Sequence, residues 1–600
     1  MAPRQKRPPR ESPVPNGSAS PGRPFLPRWE TVRHISRKQW LYLPRLFSQR
    51  EKIQLAIAAG LALLVFAVLA SRLVSQLTVP RPAVGGILRE GAVGEPRFLN
   101  PLYASGDADR DLVALIFSGL IRYGSSGGVI MDLAEDVKVS PDGKDYTVSL
   151  RPRVSWHDGE RFSADDVVFT IKTIQDPEYK SPLRPNWQGV SVEKLNDTTV
   201  RFSLRQPYAP FLENLSVGIL PEHLWRKIPR EAAILSDLNL KPVGTGPYQF
   251  KKLIHRDSGV VTSVQLARFR DYHGEGPYLK EIRFSFYPDE ERLVAAYRRN
   301  EVDAFAFVSA DRRPALEPLD VEIHELKLPK VFAVFLNPGL RPALARKSVR
   351  QALVMAIDRP ALLDEAMAGG GRLVHSALPP GSLGFNADIT PLPFAPDEAA
   401  KLLLADGWKD SDGDGVRERT EGSGRRKSVE RLELTLVTSD APELSEAAHR
   451  IAALWNRIGL KTEVKALAVS ELETSMIRPR AYEALLFGEV FGHDPDPFAF
   501  WHTSQLKDPG LNIALYSNRA VDQLLEEARR TNNPDLRAAK YRTFQKIVSD
   551  EIGAIFLYSQ INYYAIRRGT EGLNLAAVTL PEERFNEINR WYQDTRRALK

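Results

Sequence analysis

From Ile53 to Ser71 the chain runs through nineteen residues without a charge, IQLAIAAGLALLVFAVLAS, apolar on every face of a helix. At 1.5 Å per residue such a helix spans the ~30 Å hydrocarbon core of a bilayer, so the pattern predicts one membrane-spanning segment. Beyond it the periodicity alternates between two and 3.6. Tyr146–Leu150, Val190–Lys194 and Thr199–Ser203 alternate as strands, and Asn196-Asp197 supplies turn chemistry for a hairpin between the last two. Ser163 can cap a helix whose third residue is Asp166 and whose inner face carries Val167, Ile171 and Ile174. Further on, Leu432, Leu434 and Leu436 read as a strand, Leu444, Ala448, Ile451, Trp455 and Ile458 as a helix, and Val464–Val469 as a strand. That is a β-α-β unit with a crossover suited to parallel pairing. Helices are also predicted around Val349, Leu353 and Ala356, around Val521, Leu524, Leu525 and Ala528, and from Asn533-Pro534 through Phe544 and Ile547. No repeat of fixed period occurs, so an α/β or α+β body is expected rather than a solenoid.

With 600 residues the chain is long enough for three or four domains or subdomains, and its 43% hydrophobic and 26% charged residues fit a body that folds in water. The absence of cysteine excludes disulfides, thiolate metal sites and a lipid-modified N-terminal cysteine. The formal net charge is +7, yet residues 1–52 hold twelve Lys and Arg against Glu11, Glu30 and Glu51, so the rest is close to neutral. A neutral body offers no extended field for polyphosphate, and no nucleic-acid partner is expected. Eight prolines in the first 27 residues predict disorder. The basic tail should remain cytoplasmic, with Trp40, Tyr42 and Phe47 along the inner interface, which places the body outside the membrane. Val68 and Ala70 form a signal-peptidase-type pair, but fifty-two preceding residues are long for a signal peptide and favour an uncleaved anchor. Pro80, Pro82, Gly85 and Gly86 then read as a short tether.

The sequence contains no phosphate-binding glycine loop, nucleophile elbow or HExxH. Ser504-Gln-Leu-Lys507 lacks the companion motifs of a penicillin-binding site, and His157-Asp158-Gly159 reads as a polar turn after a strand. Asp410, Asp412, Asp414 and Glu421 match the spacing of an EF-hand loop around Gly415 and admit calcium. Arg417 and the following Gly-Ser-Gly-Arg-Arg-Lys favour a solvated acidic hairpin tip instead, and no other cofactor is expected.

Four long segments carry a resemblance: Leu150–Thr170 (LRPRVSWHDGERFSADDVVFT), Leu220–Leu224 (LPEHL), Pro242–Tyr248 (PVGTGPY) and Val349–Arg359 (VRQALVMAIDR). From about Gly85 onward the chain resembles extracytoplasmic solute-binding proteins of ABC importers, in the dipeptide, oligopeptide and nickel-binding family. The resemblance implies an α/β, two-lobed periplasmic-binding-protein-like fold of the large peptide-binding type, with an extra N-terminal subdomain and here one preceding transmembrane helix. Its expected organisation is a tail over 1–52, an anchor over 53–74, a linker over 75–86 and lobe I over 87–332 with a subdomain inserted at about 131–240. Lobe II follows over 333–556, and 557–600 return to lobe I. The two crossovers are expected near Lys327–Asn337 and Gly553–Gln560.

Such a fold implies reversible capture of a short peptide or peptide-like solute, no enzymatic chemistry, delivery to permease subunits, and a monomer anchored in the cell membrane. A nickel chelate, which would draw on His493, or another non-peptide solute is the rival cargo. A surface sensor or scaffold, or a hydrolase using two carboxylates, is the rival from another class. Peptide-binding members carry a Trp-x-x-Asp-x-x-Asp/Glu-Pro segment whose first aspartate pairs with the peptide ammonium. Here Gly488 stands at the tryptophan and Phe491 at that aspartate, in Gly488-Glu-Val-Phe-Gly-His-Asp494-Pro495. Either Glu489 or Asp494 replaces it, or the solute lacks an ammonium and stacks on Phe491. Tyr103, Ser105, Gly106, Trp187 and Asn337 are further expected ligand contacts.

Overall fold

The computed structural model describes residues 47–599 apart from 125–126, 309–311, 317–318, 422–427 and 577. Of the tail expected over 1–52, residues 1–46, with Trp40 and Tyr42, lie outside these, whereas 49–52 already belong to the helix that was expected to begin at 53. The described chain falls into two units, one holding the N-terminal helix and the other comprising Arg81–Arg596.

The helix spans Gln49–Leu77 with a mean hydropathy of 2.6 in its most apolar window and no buried residue. Ser48 caps it: Glu51 N donates to Ser48 Oγ, and Ser48 N donates to Glu51 Oε2 at 2.8 Å. Thr78–Ala83 and Gly85–Val93 are strands, so Pro80, Pro82, Gly85 and Gly86, expected to form a short tether, lie within strands instead.

In the body, a seven-stranded sheet runs in the order 321–326, 562–567, 304–308, 85–93, 279–287, 261–268, 248–255. A six-stranded sheet runs 371–373, 555–560, 330–336, 484–490, 433–439, 461–467. The chain passes between these two sheets twice, at 327–329 and at Ile561. Each sheet therefore anchors one lobe, and the connections are only a few residues long. Strand Ile555–Gln560 belongs to the second sheet throughout, so the return to lobe I begins at Ile561.

The β-α-β reading holds: Glu433–Ser439 and Lys461–Leu467 pair in parallel across helix Pro442–Arg457, whose Ala448, Ile451 and Trp455 are buried. Lys330–Leu336 is a near-continuous apolar run because both its faces are covered. Val334 and Leu336 join one core cluster, and Val331, Ala333 and Phe335 the other.

An antiparallel four-stranded sheet, 134–139, 145–150, 199–204 and 190–196, forms the inserted region of lobe I. Three of the resembling segments lock together beside it. Ser163 and Asp166 make a capping box at the start of helix Ala164–Gln175. Asp166 Oδ1 also accepts the Glu222 N–H at 2.9 Å, and Thr170 Oγ1 accepts that of Leu220 at 2.9 Å. His157 holds the glycine loop, with Nε2 3.0 Å from Gly246 O and Nδ1 accepting Gly244 N–H at 3.2 Å. Burial pushes this imidazole down to about 4, so the residue is a neutral clamp. A side chain at Gly244 would put Cβ 2.7 Å from the Ile116 carbonyl carbon, which explains why the loop carries glycine there.

Lobe I is completed by the end of the chain through a buried ion cluster. Arg584 donates to Asp111 Oδ1 at 2.6 Å and Oδ2 at 2.5 Å, and to Glu90 Oε1 at 3.1 Å. Tyr564 donates to Glu90 Oε2 at 2.9 Å.

Candidate ligand cleft

Strand Ala484–Val490 ends at the boundary between the lobes, and the turn 491–497 that follows it stays in lobe II but reaches lobe I residues. A cavity of about 540 Å³ lies there, within the range of ordinary ligand sites. Lobe II contributes Gly492, Asp494 and Asp496; lobe I contributes Tyr123, Trp187, Tyr208, Glu213 and the segment around Glu582.

The lobes are held together by contacts converging on this turn. Glu213 accepts backbone N–H bonds from His493 at 3.1 Å and Asp494 at 3.2 Å, and Tyr208 donates to Asp496 at 3.2 Å. The His493 ring stacks on Tyr123 with centroids 3.4 Å apart and planes 8° apart. Its Nε2 lies 2.6 Å from Glu583 Oε1 and its Nδ1 3.1 Å from Thr579 Oγ1, so both ring nitrogens are engaged. Burial raises the Glu213 carboxyl, and the two N–H bonds oppose that rise.

The sequence-predicted contacts divide. Trp187 and Asp494 line the cavity. Asp494 is already paired with Arg537 at 2.5 Å, as Asp496 is with Arg529 at 2.6 Å. Ser105 and Gly106 are exposed at the start of helix Asp107–Ile116, their N–H groups 3.4 Å from Asp109, and they are outside the cavity wall. Tyr103 is buried in the lobe I core. Asn337 is buried and donates to the Arg480 and Tyr482 carbonyls, fixing the end of a strand.

Glu489 and Phe491 point away from the cleft. Alternation along the strand sends Leu485, Glu489 and Phe491 inward, where Phe491 packs edge-on against Phe500. Gly488 accommodates the Phe332 ring, which would meet a Cβ at 2.8 Å.

Glu489 is 2% exposed, and neither carboxyl oxygen completes a hydrogen bond. Burial holds it well above the usual carboxylate range; the neighbouring Trp501 indole lowers it only in part. In the unfolded chain the group ionises near its ordinary value of about 4.3. The stability carried by its neutral folded form is therefore complete below that value and declines above it, by up to about 1.4 kcal/mol per pH unit, until the folded group itself ionises. Glu489→Gln cannot ionise and is expected to lose this decline. Denaturant titrations should show the variant gaining on the wild type between pH 5 and pH 7; parallel curves would contradict it.

Away from the cleft, ligand oxygens of Asp410, Asp412 and Glu418 lie within 4.8 Å of one another. Asp410 accepts the N–H of Gly413 at 2.7 Å and of Gly415 at 3.0 Å. Asp412 and Asp414 are paired with Arg431, and Glu421 with Arg346 and Arg419, so three of the four expected calcium ligands are drawn to arginines.

Two sheet-centred lobes, joined by two short crossings and meeting around a cavity, define a solute-trapping binding protein. Residues 128–511 match the model of the family described as bacterial extracellular solute-binding proteins, family 5 Middle, and the chain belongs to that family. It is 29% identical over 525 residues to the oligopeptide-binding protein AppA of Bacillus subtilis (strain 168), covering 85% of this chain and 92% of that one. The AppA structure in complex with a nonapeptide superposes with a TM-score of 0.68 at 26% identity, over 85% of this chain and 99% of that one. NikZ from Campylobacter jejuni, in complex with Ni(L-His), superposes with a TM-score of 0.69 at 25% identity, over 84% of this chain and 99% of that one.

Proposed function

We propose that the protein captures short peptides or peptide-like solutes in the interlobe cleft, outside the cytoplasmic membrane, and passes them unchanged to an ABC permease. The observation that carries this reading is the cavity whose wall is drawn from both lobes and whose closing contacts join them through Glu213. A solute seated there touches both halves only when they are shut, and so stabilises the shut form by its differential affinity. The oligopeptide binder among the relatives supports peptide cargo. His493, the residue that a nickel chelate would engage, already has both nitrogens in lobe I contacts, which favours the peptide reading over the metal one.

The helix Gln49–Leu77 would serve as the anchor, with the basic tail holding its N-terminal end in the cytoplasm. Native mass spectrometry of the full chain, purified from its own host, is expected to show a small molecule that is retained when folded and released intact on unfolding. A protein that arrives empty and takes up no member of a tripeptide mixture would contradict the proposal.

A further inference from the structure

The cavity wall carries six carboxylates, Asp132, Glu213, Asp494, Asp496, Glu582 and Glu583, against Arg110 and Arg122. Five of the six have short polar partners inside the protein. Asp132 Oδ1 lies 2.7 Å from His273 Nε2. Glu213 takes two backbone N–H groups, Asp494 takes Arg537, and Asp496 takes Arg529 and Tyr208. Glu583 accepts the N–H of Thr579 at 2.8 Å and of Leu580 at 3.1 Å, and it meets His493.

Glu582 differs. Its Oε2 is buried without a hydrogen bond, and its nearest cation, Arg110 Nε, is 3.7 Å away. The two terminal nitrogens of Arg110 donate elsewhere, to Ser105 O at 2.6 Å and to Asp107 Oδ1 at 2.6 Å, which leaves only Nε toward Glu582. With 15% of its side chain exposed, its own backbone N–H and the Arg110 contact offset the burial of this carboxylate only in part, and Oε2 stays open to a donor entering the cavity. The turn after strand Ala484–Val490 does not offer an open carboxylate, because Glu489 and Phe491 face inward and Asp494 and Asp496 are paired with Arg537 and Arg529.

We propose that Glu582, on the lobe I wall, receives a cationic N–H donor of the solute, such as the free ammonium of a peptide. This rests on the peptide reading above and adds the residue and the charge that select within it. The site is built from the short helix Pro581–Phe585 packed on helix Asp107–Ile116. The charged groups facing Glu582 are Arg110 and Asp111 from the latter helix and Glu583 beside it; burial dominates them and pushes its carboxyl up to about 7. Since only the ionised form attracts a cation, retention of a free-amine solute should weaken as pH falls from 7 to 5.5.

The test uses the full chain in detergent with an equimolar tripeptide mixture and the same mixture N-acetylated, retained molecules being identified by mass spectrometry. The wild type is expected to prefer free-amine members at least tenfold and to lose that preference at pH 5.5. Glu582→Gln should bring the two mixtures to parity with no remaining pH dependence, and Glu582→Asp should keep part of the selectivity. Equal retention of both mixtures by the wild type, or unchanged selectivity in Glu582→Gln, overturns the role of Glu582 while peptide capture stands. Retention of neither mixture removes the peptide reading, and this inference with it. The wild-type comparison of the two mixtures decides the matter even if a variant fails to fold.

Discussion

Replacing Arg584 with methionine is expected to destabilise the protein by about 3–5 kcal/mol, the range for removing one partner of a buried ion cluster. Arg584, Glu90 and Asp111 are each at most 2% exposed. The guanidinium satisfies both oxygens of Asp111 and one of Glu90, while Tyr564 completes the other. Methionine would fill much of the volume but leave two carboxyl groups without a counter-charge in a region that water does not reach. The cluster also joins the chain's end to a central strand and to helix Asp107–Ile116, so the loss should loosen the return segment that carries Glu582 and Glu583. Denaturant titration measures the effect. A further Asp111→Asn change should recover part of it, and a single variant within 0.5 kcal/mol of the wild type would contradict the assignment.

Gly492→Ala is expected to weaken solute binding on the order of a hundredfold while leaving unfolding nearly unchanged. The backbone at Gly492 is outside the left-handed region, so alanine brings no strain of its own. Its Cβ would sit 2.8 Å from the Glu213 carboxyl carbon. That carboxylate is fixed by the N–H groups of His493 and Asp494, and displacing it breaks two charge-assisted bonds between the lobes. At about 1.5 kcal/mol or more for each, their loss corresponds to roughly two powers of ten in the closed population. Calorimetry with the solute recovered from the host measures the change. Affinity equal to the wild type would show that Glu213 plays no part in closure.

Much of the scaffold was legible in the chain because local rules decide it. The Ser163 cap, the hairpin turning at Asn196-Asp197 and the alternation of Leu434 and Leu436 before a helix need no distant partner. The two crossings followed from the resemblance rather than from periodicity, which cannot say which sheet a strand will join. The cleft was less accessible. Glu213 and the turn it closes on lie some 280 positions apart, and nothing local marks a glutamate in a short helix as a clasp. Glu582 is equally unmarked in sequence. Glu489, by contrast, could have been placed: it shares the parity of Leu485 and Phe491, and a strand buried on both faces sends all three inward. A single-residue alignment with relatives pointed at the right turn but could not say which side chains face the cavity.

The central claim is that the lobes shut upon a solute, and an interlobe distance measures it directly. The chain has no cysteine, so spin labels at Leu195→Cys in the four-stranded sheet and Leu536→Cys in lobe II, both on exposed positions, would be the only ones present. Pulsed dipolar spectroscopy should give a longer, broader distribution for the emptied protein and one short distance once the host-derived solute is returned, with Gly492→Ala remaining long. Identical distributions with and without solute would contradict the account.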